Sequence, residues 1–356
     1  MLLAGDVGGT KTLLGLFARD TAGRRVSAAD DRPAVVETGE FVTLEYDSLE
    51  DIIREFLRAQ SVDARGIESA CFGVAGAVTD QVARLTNVPW RVDNERVSKA
   101  LGLRRSTIIN DLEALAYSVN VLNPDELAVL QQGVASPNGN AAVIAAGTGL
   151  GEALLHNVDG QFLPAASEGG HADFAARTPR ELAMVSELTR IFGRVGVEHV
   201  ISGPGLANIY QFTHHSFGAG PMLTPNSIAP SRLCDGVGVV KDSADLPKRI
   251  SKAAMERRCP QCVEALEMFL AAYGAEAGNL ALRYVATAGV YVGGGIAPKI
   301  LPALEEGGFL AAFRDKEPHT KLLAEIPVRV IRNELAGMLG AARYATLVAA
   351  GDGSPL

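Results

Sequence analysis

The residues best suited to chemistry begin at Asp6-Val7-Gly8-Gly9-Thr10-Lys11, a glycine pair set between two short apolar runs. That pattern reads as a tight β-hairpin. Glycine lacks a Cβ, so the turn can take positive φ and other groups can come close to its backbone. Successive amides pointing into such a turn form a concave site for an anion such as phosphate. Asp6 stands just ahead of the turn, where a carboxylate repels phosphate unless a metal ion lies between them. A nucleotide with Mg²⁺ satisfies both. Taken alone, a glycine-rich hairpin is more often a plain turn. A second copy strengthens the ligand reading: the apolar run 141–146, then Gly147-Thr148-Gly149, then another apolar run. A third glycine cluster, Gly293-Gly294-Gly295, comes after a strand-like run and precedes a helix expected from Pro298. None of these is a Walker-type phosphate loop or a dinucleotide Gly-x-Gly-x-x-Gly fingerprint.

A second group of residues could act on an alcohol. The run Ser106 to Ile109 reads as a short buried strand ending at Asn110-Asp111, after which Leu112, Leu115, Ala116 and Val119 recur at helical spacing. Asp111 then sits at a strand-to-helix junction, near the edge of an α/β sheet where ligands bind. Two roles fit that position. Asp111 caps the helix, or it is a general base that removes a proton from an alcohol attacking a γ-phosphate, with Asn110 holding a neighbouring hydroxyl. The segment Glu168-Gly169-Gly170-His171 sets a carboxylate, two glycines and an imidazole within four residues, a combination able to converge on a polyol. A lone His in a turn is also commonly structural, and no helical His-Glu-x-x-His pattern supports a metal there. Glu198, ahead of Ser202-Gly203-Pro204-Gly205, is either a further ligand or an ordinary surface carboxylate.

These residues must be positioned by alternating strands and helices, the pattern of an α/β fold. Strands are expected near 68–75, 81–86, 105–110, 141–147, 151–156, 288–293 and 326–332. Ser48-Leu49-Glu50-Asp51 resembles a capping box, and Thr178-Pro179-Arg180-Glu181 opens a helix running to about Gly193. The closing segment from Gly337 to about Ala350 reads as an alanine-rich helix, and the stretch from about 218 to 242 as a loop. At 356 residues the chain has room for two domains. A hydrophobic content of 47% and a charged content of 21% are those of an ordinary globular protein. The net charge of −8 argues against nucleic acid or an anionic membrane as partner. No basic leader or membrane-length apolar run opens the chain, so a cytoplasmic protein is expected. Four cysteines suit a reducing compartment rather than a disulfide framework. Cys259-Pro260-Gln261-Cys262 has metal or redox spacing, but zinc wants a second pair nearby, so incidental cysteines are the favoured reading, with zinc or a functional disulfide as alternatives.

The ordered set carries a specific resemblance. Asp-Val-Gly-Gly-Thr at 6–10, Asn-Asp at 110–111, Gly-Thr-Gly-Leu-Gly at 147–151, Glu-Gly-Gly-His-x-Asp-Phe at 168–174, Ser-Gly-Pro-Gly-Leu at 202–206 and Gly-Gly-Gly-Ile-x-Pro at 293–298 come one after another. In that order they resemble the bacterial ATP-dependent glucokinases of the enteric type, within the sugar kinase/actin/Hsp70 ATPase superfamily. The resemblance runs from about residue 3 to about 345. It implies a two-domain, actin-like (ribonuclease H-like) α/β fold with a cleft between domains: residues 1–110 plus about 334–356 as the small domain, 111–333 as the large one. It implies phosphoryl transfer from Mg²⁺·ATP to the 6-hydroxyl of D-glucose, with Asp111 as base and Asn110, Glu168, His171 and Glu198 on the other hydroxyls. Asp6, Gly8, Gly9, Thr10, Lys11, Gly147, Thr148 and Gly149 would line the phosphate path, with Asp6 the only candidate protein ligand for the metal. Gly294 and Gly295 would approach the adenosine, and a homodimer is implied. Lys11 stands where the enteric type has Asn. No cysteine-rich zinc motif comes soon after His171, which favours the zinc-free branch. A kinase of another hexose or hexosamine, a donor such as ADP or polyphosphate, and a non-catalytic sugar sensor remain alternatives. For a repressor, the five residues before Asp6 leave no room for a helix-turn-helix.

Overall fold

Short apolar runs separated by glycine turns form strands, and the amphipathic stretches between them form helices, in a computed structural model that describes residues 1–18, 32–85, 88–214, 234–238 and 245–351. The strands are β1 (Leu2–Val7), β2 (Lys11–Ala18), β3 (Ala34–Val42), β4 (Ser69–Val74), β5 (Val78–Thr79), β6 (Val82–Arg84), β7 (Arg91–Asp93), β8 (Ser106–Asn110), β9 (Leu127–Gln131), β10 (Ala141–Ala146), β11 (Leu150–Val158), β12 (Gln161–Ser167), β13 (Gly289–Gly293) and β14 (Val328–Ile331). The α-helices are α1 (Leu49–Ala59), α2 (Asn94–Leu101), α3 (Asp111–Ser118), α4 (Pro179–Phe192), α5 (Gly203–His214), α6 (Leu246–Met255), α7 (Pro260–Tyr284), α8 (Leu301–Glu305), α9 (Gly308–Arg314), α10 (Thr320–Glu325) and α11 (Ala336–Ala350).

The chain divides into two units. The first holds Met1–Leu127, Leu155–Ala166 and the chain from Asn333, and the second holds Ala128–Leu154 and Ser167–Arg332. In the first, a five-stranded sheet has the order β3-β2-β1-β4-β8. β1 and β2 are antiparallel, whereas β1, β4 and β8 run parallel. Alternate residues of the central strands serve opposite faces, as the period of two requires. Leu3, Val7, Phe72 and Val74 pack with Ile52, Ile53 and Phe56 of α1. Leu2, Ala4 and Cys71 pack with Ala114 and Tyr117 of α3 and Met338 and Ala342 of α11. Both faces are covered, which is why β1 and β4 read as continuous apolar runs.

The first unit is larger than residues 1–110 plus the closing segment. Helix α3 shares one apolar core with β1 and α11, and so belongs to this unit. Asn120 then captures the tip of the β11–β12 hairpin, its Nδ2 donating to Phe162 O and its Oδ1 accepting from Phe162 N, both at 2.9 Å.

In the second unit a six-stranded sheet has the order β12-β11-β10-β13-β14-β9, with β10, β13 and β14 parallel. The 25-residue α7 lies in the core of this unit, its Phe269 and Tyr273 fully buried among residues of α5, α6 and α9.

Several helix ends form as their sequence dictates. Thr178 caps α4 by accepting from Glu181 N, and Gly193 closes it. Ser48 caps α1 by accepting from Asp51 N, but Asp51 turns its carboxylate to the Ser48 hydroxyl (2.6 Å), so the reciprocal half of a capping box is not made. Ala297–Ile300 is a 3₁₀ turn leading into the short α8, in place of the single helix expected from Pro298. The stretch from about 218 to 242 falls largely outside the described residues.

Candidate active site

In the first unit, the parallel register pairs Asp6 with Gly73 and Val74 with Asn110. Asp6, Gly73 and Asn110-Asp111 therefore emerge along one edge, at the carboxyl ends of β1, β4 and β8. That edge is where open α/β sheets bind ligands. Helix α3 is capped by Asn110, not by Asp111. Its Oδ1 accepts from Leu112 N at 2.9 Å and Glu113 N at 3.2 Å, and its Nδ2 donates to Gly76 O at 3.0 Å. Asp111 becomes the first helical residue, and its Oδ1 shares the Leu112 N–H at 2.9 Å.

Asp6 is pushed up to about 7, first by burial and then by the neighbouring Asp111 carboxylate, with Lys11 opposing. A pair of carboxylates in this condition suits a divalent cation, whose charge relieves the burial and the repulsion together. The first turn of α11 closes over Asp6: a Cβ at Gly337 would stand 2.7 Å from Asp6 Oδ2.

The Gly8-Gly9-Thr10 turn forms between β1 and β2, closed by Gly8 N donating to Lys11 O at 3.0 Å. Neither Gly8 nor Gly9 takes positive φ, and neither do Gly147 and Gly149. At Gly8 and Gly149 the missing side chain is what matters, because a Cβ would crowd Lys11 O and Glu198 Oε2 respectively. Lys11 does not stand free beside the turn, because its Nζ pairs with Glu40 on β3 at 2.7 Å. A residue that no motif flagged braces the turn. Thr43 Oγ1 donates to Gly8 O (2.9 Å) and accepts from Thr12 Oγ1 (2.9 Å), while Thr43 N donates to Thr10 O at 3.0 Å. Thr43 comes directly after an exposed edge strand and offers no periodic signal.

The second unit holds the remaining candidates. In the Gly147-Thr148-Gly149 turn, Gly147 N donates to Gly149 O and Gly203 N to Gly147 O, both at 2.8 Å. Glu198 is anchored to this turn: its Oε2 accepts from Leu150 N at 2.9 Å. A Cβ at Gly149 would stand 2.6 Å from that oxygen. Beside it, His199 stacks on Phe192 at 4.4 Å and accepts from Gly196 N at 3.0 Å. Burial pulls its pKa down, so the neutral acceptor form is favoured.

Glu168 and His171 flank a 3₁₀ turn at Gly169–His171, both exposed, with Nε2 and Oε2 3.7 Å apart. The turn's backbone is fixed from below. Ser167 Oγ accepts from Gly169 N at 3.2 Å and donates to Glu152 O at 2.9 Å, and Arg194 donates to His171 O at 2.8 Å. Val197 N donates to Ala172 O at 2.8 Å, which joins this turn to the one carrying Glu198. Exposed carboxylate and imidazole groups on a rigid turn are suited to reading hydroxyls.

The third glycine turn lies at the carboxyl end of β13, beside that of β10. Gly294 has φ +81°, and a Cβ there would stand 2.3 Å from Ala146 O. The buried Tyr273 hydroxyl accepts from Ala146 N at 3.2 Å and lies 3.4 Å from the carbonyls of Ile144 and Gly293. Thr148 and Gly295 are exposed.

Glu152 is the functional-looking residue that spacing did not single out. It is a buried carboxylate on β11, and its Oε1 has no hydrogen-bond partner among the described residues. Burial, then the Glu276 carboxylate, push it up to about 7. Arg283 lies 2.7 Å from Glu276 Oε1 and 3.8 Å from Glu152 Oε2. Its signal was a charged residue between the apolar residues Leu150 and Ala153-Leu154-Leu155.

The four cysteines are free. Cys259 and Cys262 do not stand as an isolated pair: His214 and Cys234 lie against them, with all four candidate ligand atoms within 4.8 Å of one another.

The sequence-predicted residues thus fall into two groups, Asp6 to Lys11 with Asn110 and Asp111 in the first unit, and Gly147–Gly149, Glu168, His171, Glu198, Gly294 and Gly295 in the second. The family model for glucokinase matches residues 3–348. The glucokinase of Synechocystis sp. is 37% identical over 351 residues, covering 96% of each chain. That of Nostoc sp. is 38% identical over 345 residues, covering 96% of this chain and 98% of the relative. The crystal structure of a glucokinase from an Antarctic psychrotroph superposes with a TM-score of 0.77 at 28% identity, covering 97% of this chain and 98% of that one. With a family model spanning nearly its whole length, the chain belongs to the glucokinase family.

Proposed function

We propose that the protein transfers the γ-phosphoryl group of Mg²⁺·ATP to the 6-hydroxyl of D-glucose, releasing ADP and glucose 6-phosphate. The observation that carries this reading is Asp111, a carboxylate on the first turn of α3 at the carboxyl edge of three parallel strands, beside the buried Asp6. As the O6–phosphorus bond forms and the bond to the ADP oxygen breaks, Asp111 takes the O6 proton. Asn110 has a second amide hydrogen to offer a neighbouring hydroxyl. Glu168, Glu198 and His171 hold the remaining ring hydroxyls.

The amides of Gly9, Thr10, Thr148 and Gly149 stabilise charge along the phosphates, while Gly8 and Gly147, whose amides close their turns, line the path. Gly294 and Gly295 admit the adenosine. Asp6 would hold Mg²⁺, which when bound neutralises phosphate charge. The family resemblance extends this reading to a homodimer, which sedimentation velocity would check.

The test is a coupled assay for glucose 6-phosphate on wild type and Asp111→Asn. The variant should lose roughly 10²- to 10⁴-fold in kcat, the usual worth of a general base, with glucose binding retained. Near-wild-type kcat would remove Asp111 as the base. Mannose, fructose and N-acetylmannosamine as acceptors, and ADP and polyphosphate as donors, complete the assay. A higher kcat/KM for any of them would replace the corresponding substrate.

A further inference from the structure

His214, Cys234, Cys259 and Cys262 gather their candidate ligand atoms within 4.8 Å of one another in the second unit. They arrive from three parts of the chain: His214 ends α5, Cys234 opens the short turn 234–238, and Cys259 and Cys262 are the N-cap and third residue of α7. His214 Nε2 lies 3.3 Å from Cys259 Sγ and 3.9 Å from Cys262 Sγ, and Cys234 Sγ lies 3.6 Å from Cys262 Sγ.

These separations match the edges of a metal tetrahedron. With Zn–S of about 2.3 Å and Zn–N of about 2.0 Å, tetrahedral angles set two sulfurs about 3.8 Å apart and a sulfur and nitrogen about 3.5 Å apart. A disulfide would require sulfurs about 2.05 Å apart.

The surrounding groups orient the donors as metal ligands are usually oriented. His214 Nδ1 lies 2.8 Å from Tyr210 O. A carbonyl only accepts, so Nδ1 carries the proton and Nε2 presents its lone pair to the sulfurs. Tyr210 also fixes the Cys234 backbone, its hydroxyl accepting from Cys234 N at 2.9 Å. Val237 N and Gly238 N both donate to Cys234 O. Cys259 occupies the N-cap of α7 yet makes no side-chain cap bond to the helix backbone, and its Sγ lies 3.3 Å from Gln261 Oε1 on the first turn. Cys259 and Cys262 are buried, which shields a bound ion from water.

We propose that His214, Cys234, Cys259 and Cys262 bind one Zn²⁺ as a closed, four-ligand structural site. The ion ties the end of α5 and the 234–238 turn to the start of α7. Four protein ligands leave no open position for substrate, so the site takes no part in phosphoryl transfer.

The experiment is elemental analysis of the full chain, tag removed, purified without chelator. About one zinc per chain is expected, released in proportion as a mercurial titrates the thiols. Exchange with Co²⁺ should give the visible absorption of tetrahedral thiolate-bound cobalt. Cys234→Ser and His214→Ala should bring zinc to background, while Cys71→Ser keeps it in full. If those variants fail to fold, the wild-type stoichiometry still decides. Wild-type protein that holds no zinc after loading and dialysis overturns the proposal. So does a disulfide between any of these cysteines in protein isolated under the same conditions.

Discussion

Replacing Glu152 with Gln should stabilise the protein at neutral pH and leave it unchanged in acid. Glu152 is pushed from an ordinary 4.5 to about 7, by burial and then by Glu276, with Arg283 opposing. A carboxyl raised in this way holds its proton longer in the folded state than in the unfolded chain. Its stabilising form is fully present below its ordinary value, and that contribution is lost as pH rises through about 7. The shift of about 2.5 units corresponds to about 3 kcal/mol over the full window. Between about pH 5 and about pH 8 the linkage amounts to about 2.5 kcal/mol. The side chain is 2% exposed, so solvent screening takes little of this away. Gln fills nearly the same volume and never ionises, so the difference between Gln and Glu isolates the titration. The assay is equilibrium urea unfolding monitored by far-UV circular dichroism across that pH range, for both proteins. The stability gap should open steadily toward alkaline pH. A gap of constant size, or one that opens toward acid, refutes the reasoning.

Three further outcomes concern the site and its support. Gly294→Ala places a Cβ 2.3 Å from Ala146 O at a φ of +81°, so the turn must shift; KM for ATP should rise tenfold or more, that is by more than about 1.4 kcal/mol of binding, with KM for glucose little changed. Tyr273→Phe leaves Ala146 N without its buried acceptor; it should cost about 1–3 kcal/mol in urea unfolding, and a change below about 0.5 kcal/mol would show that the hydroxyl is dispensable. Glu168→Gln should raise KM for glucose with kcat little changed, because a site that reads hydroxyls loses a charged acceptor; an unchanged KM would place the sugar elsewhere.

The parts of this chain that were legible are those governed by local rules. The two glycine hairpins, the Thr178 cap, the apolar face of α1 and the strand ending at Asn110 all arise from short-range pattern. What escaped depends on residues brought together from far along the chain. Thr43 reaches the Gly8 turn across 35 positions, and His214 meets Cys259 across 45. A Cys-x-x-Cys pair looked incomplete because its partners lie upstream on α5 and in the 234–238 turn, at no spacing that periodicity could register. Asn110 took the capping role open to Asp111 because its side chain, one residue earlier, lies where the first helical N–H groups point. The domain boundary moved for a similar reason, since chain order sets α3 with the residues beyond position 110, whereas packing sets it against α11.

The two units solve one physical problem with different means. Each ends parallel strands side by side and, on the proposed reading, must leave backbone amides exposed there for an anion, although buried backbone groups otherwise demand partners. In the first unit the edge is held by Thr43 and by Asn110, whose side chains take up the donors and acceptors that the sheet and helix leave over. In the second, one tyrosine hydroxyl reaches the ends of both β10 and β13 from inside the core. Such bracing lets glycine stand at the turns, where it would otherwise cost order. It also accounts for the buried carboxylates. Asp6 and Glu152 are both costly to ionise where they lie. Asp6 stands at the carboxyl edge of its sheet, where the proposed Mg²⁺ would offset the cost; Glu152 is buried on β11, where, among the described residues, Arg283 and a retained proton offset it. On the proposed reading the first is unfavourable for the sake of binding, whereas the second is a cost that a neutral residue of the same volume removes.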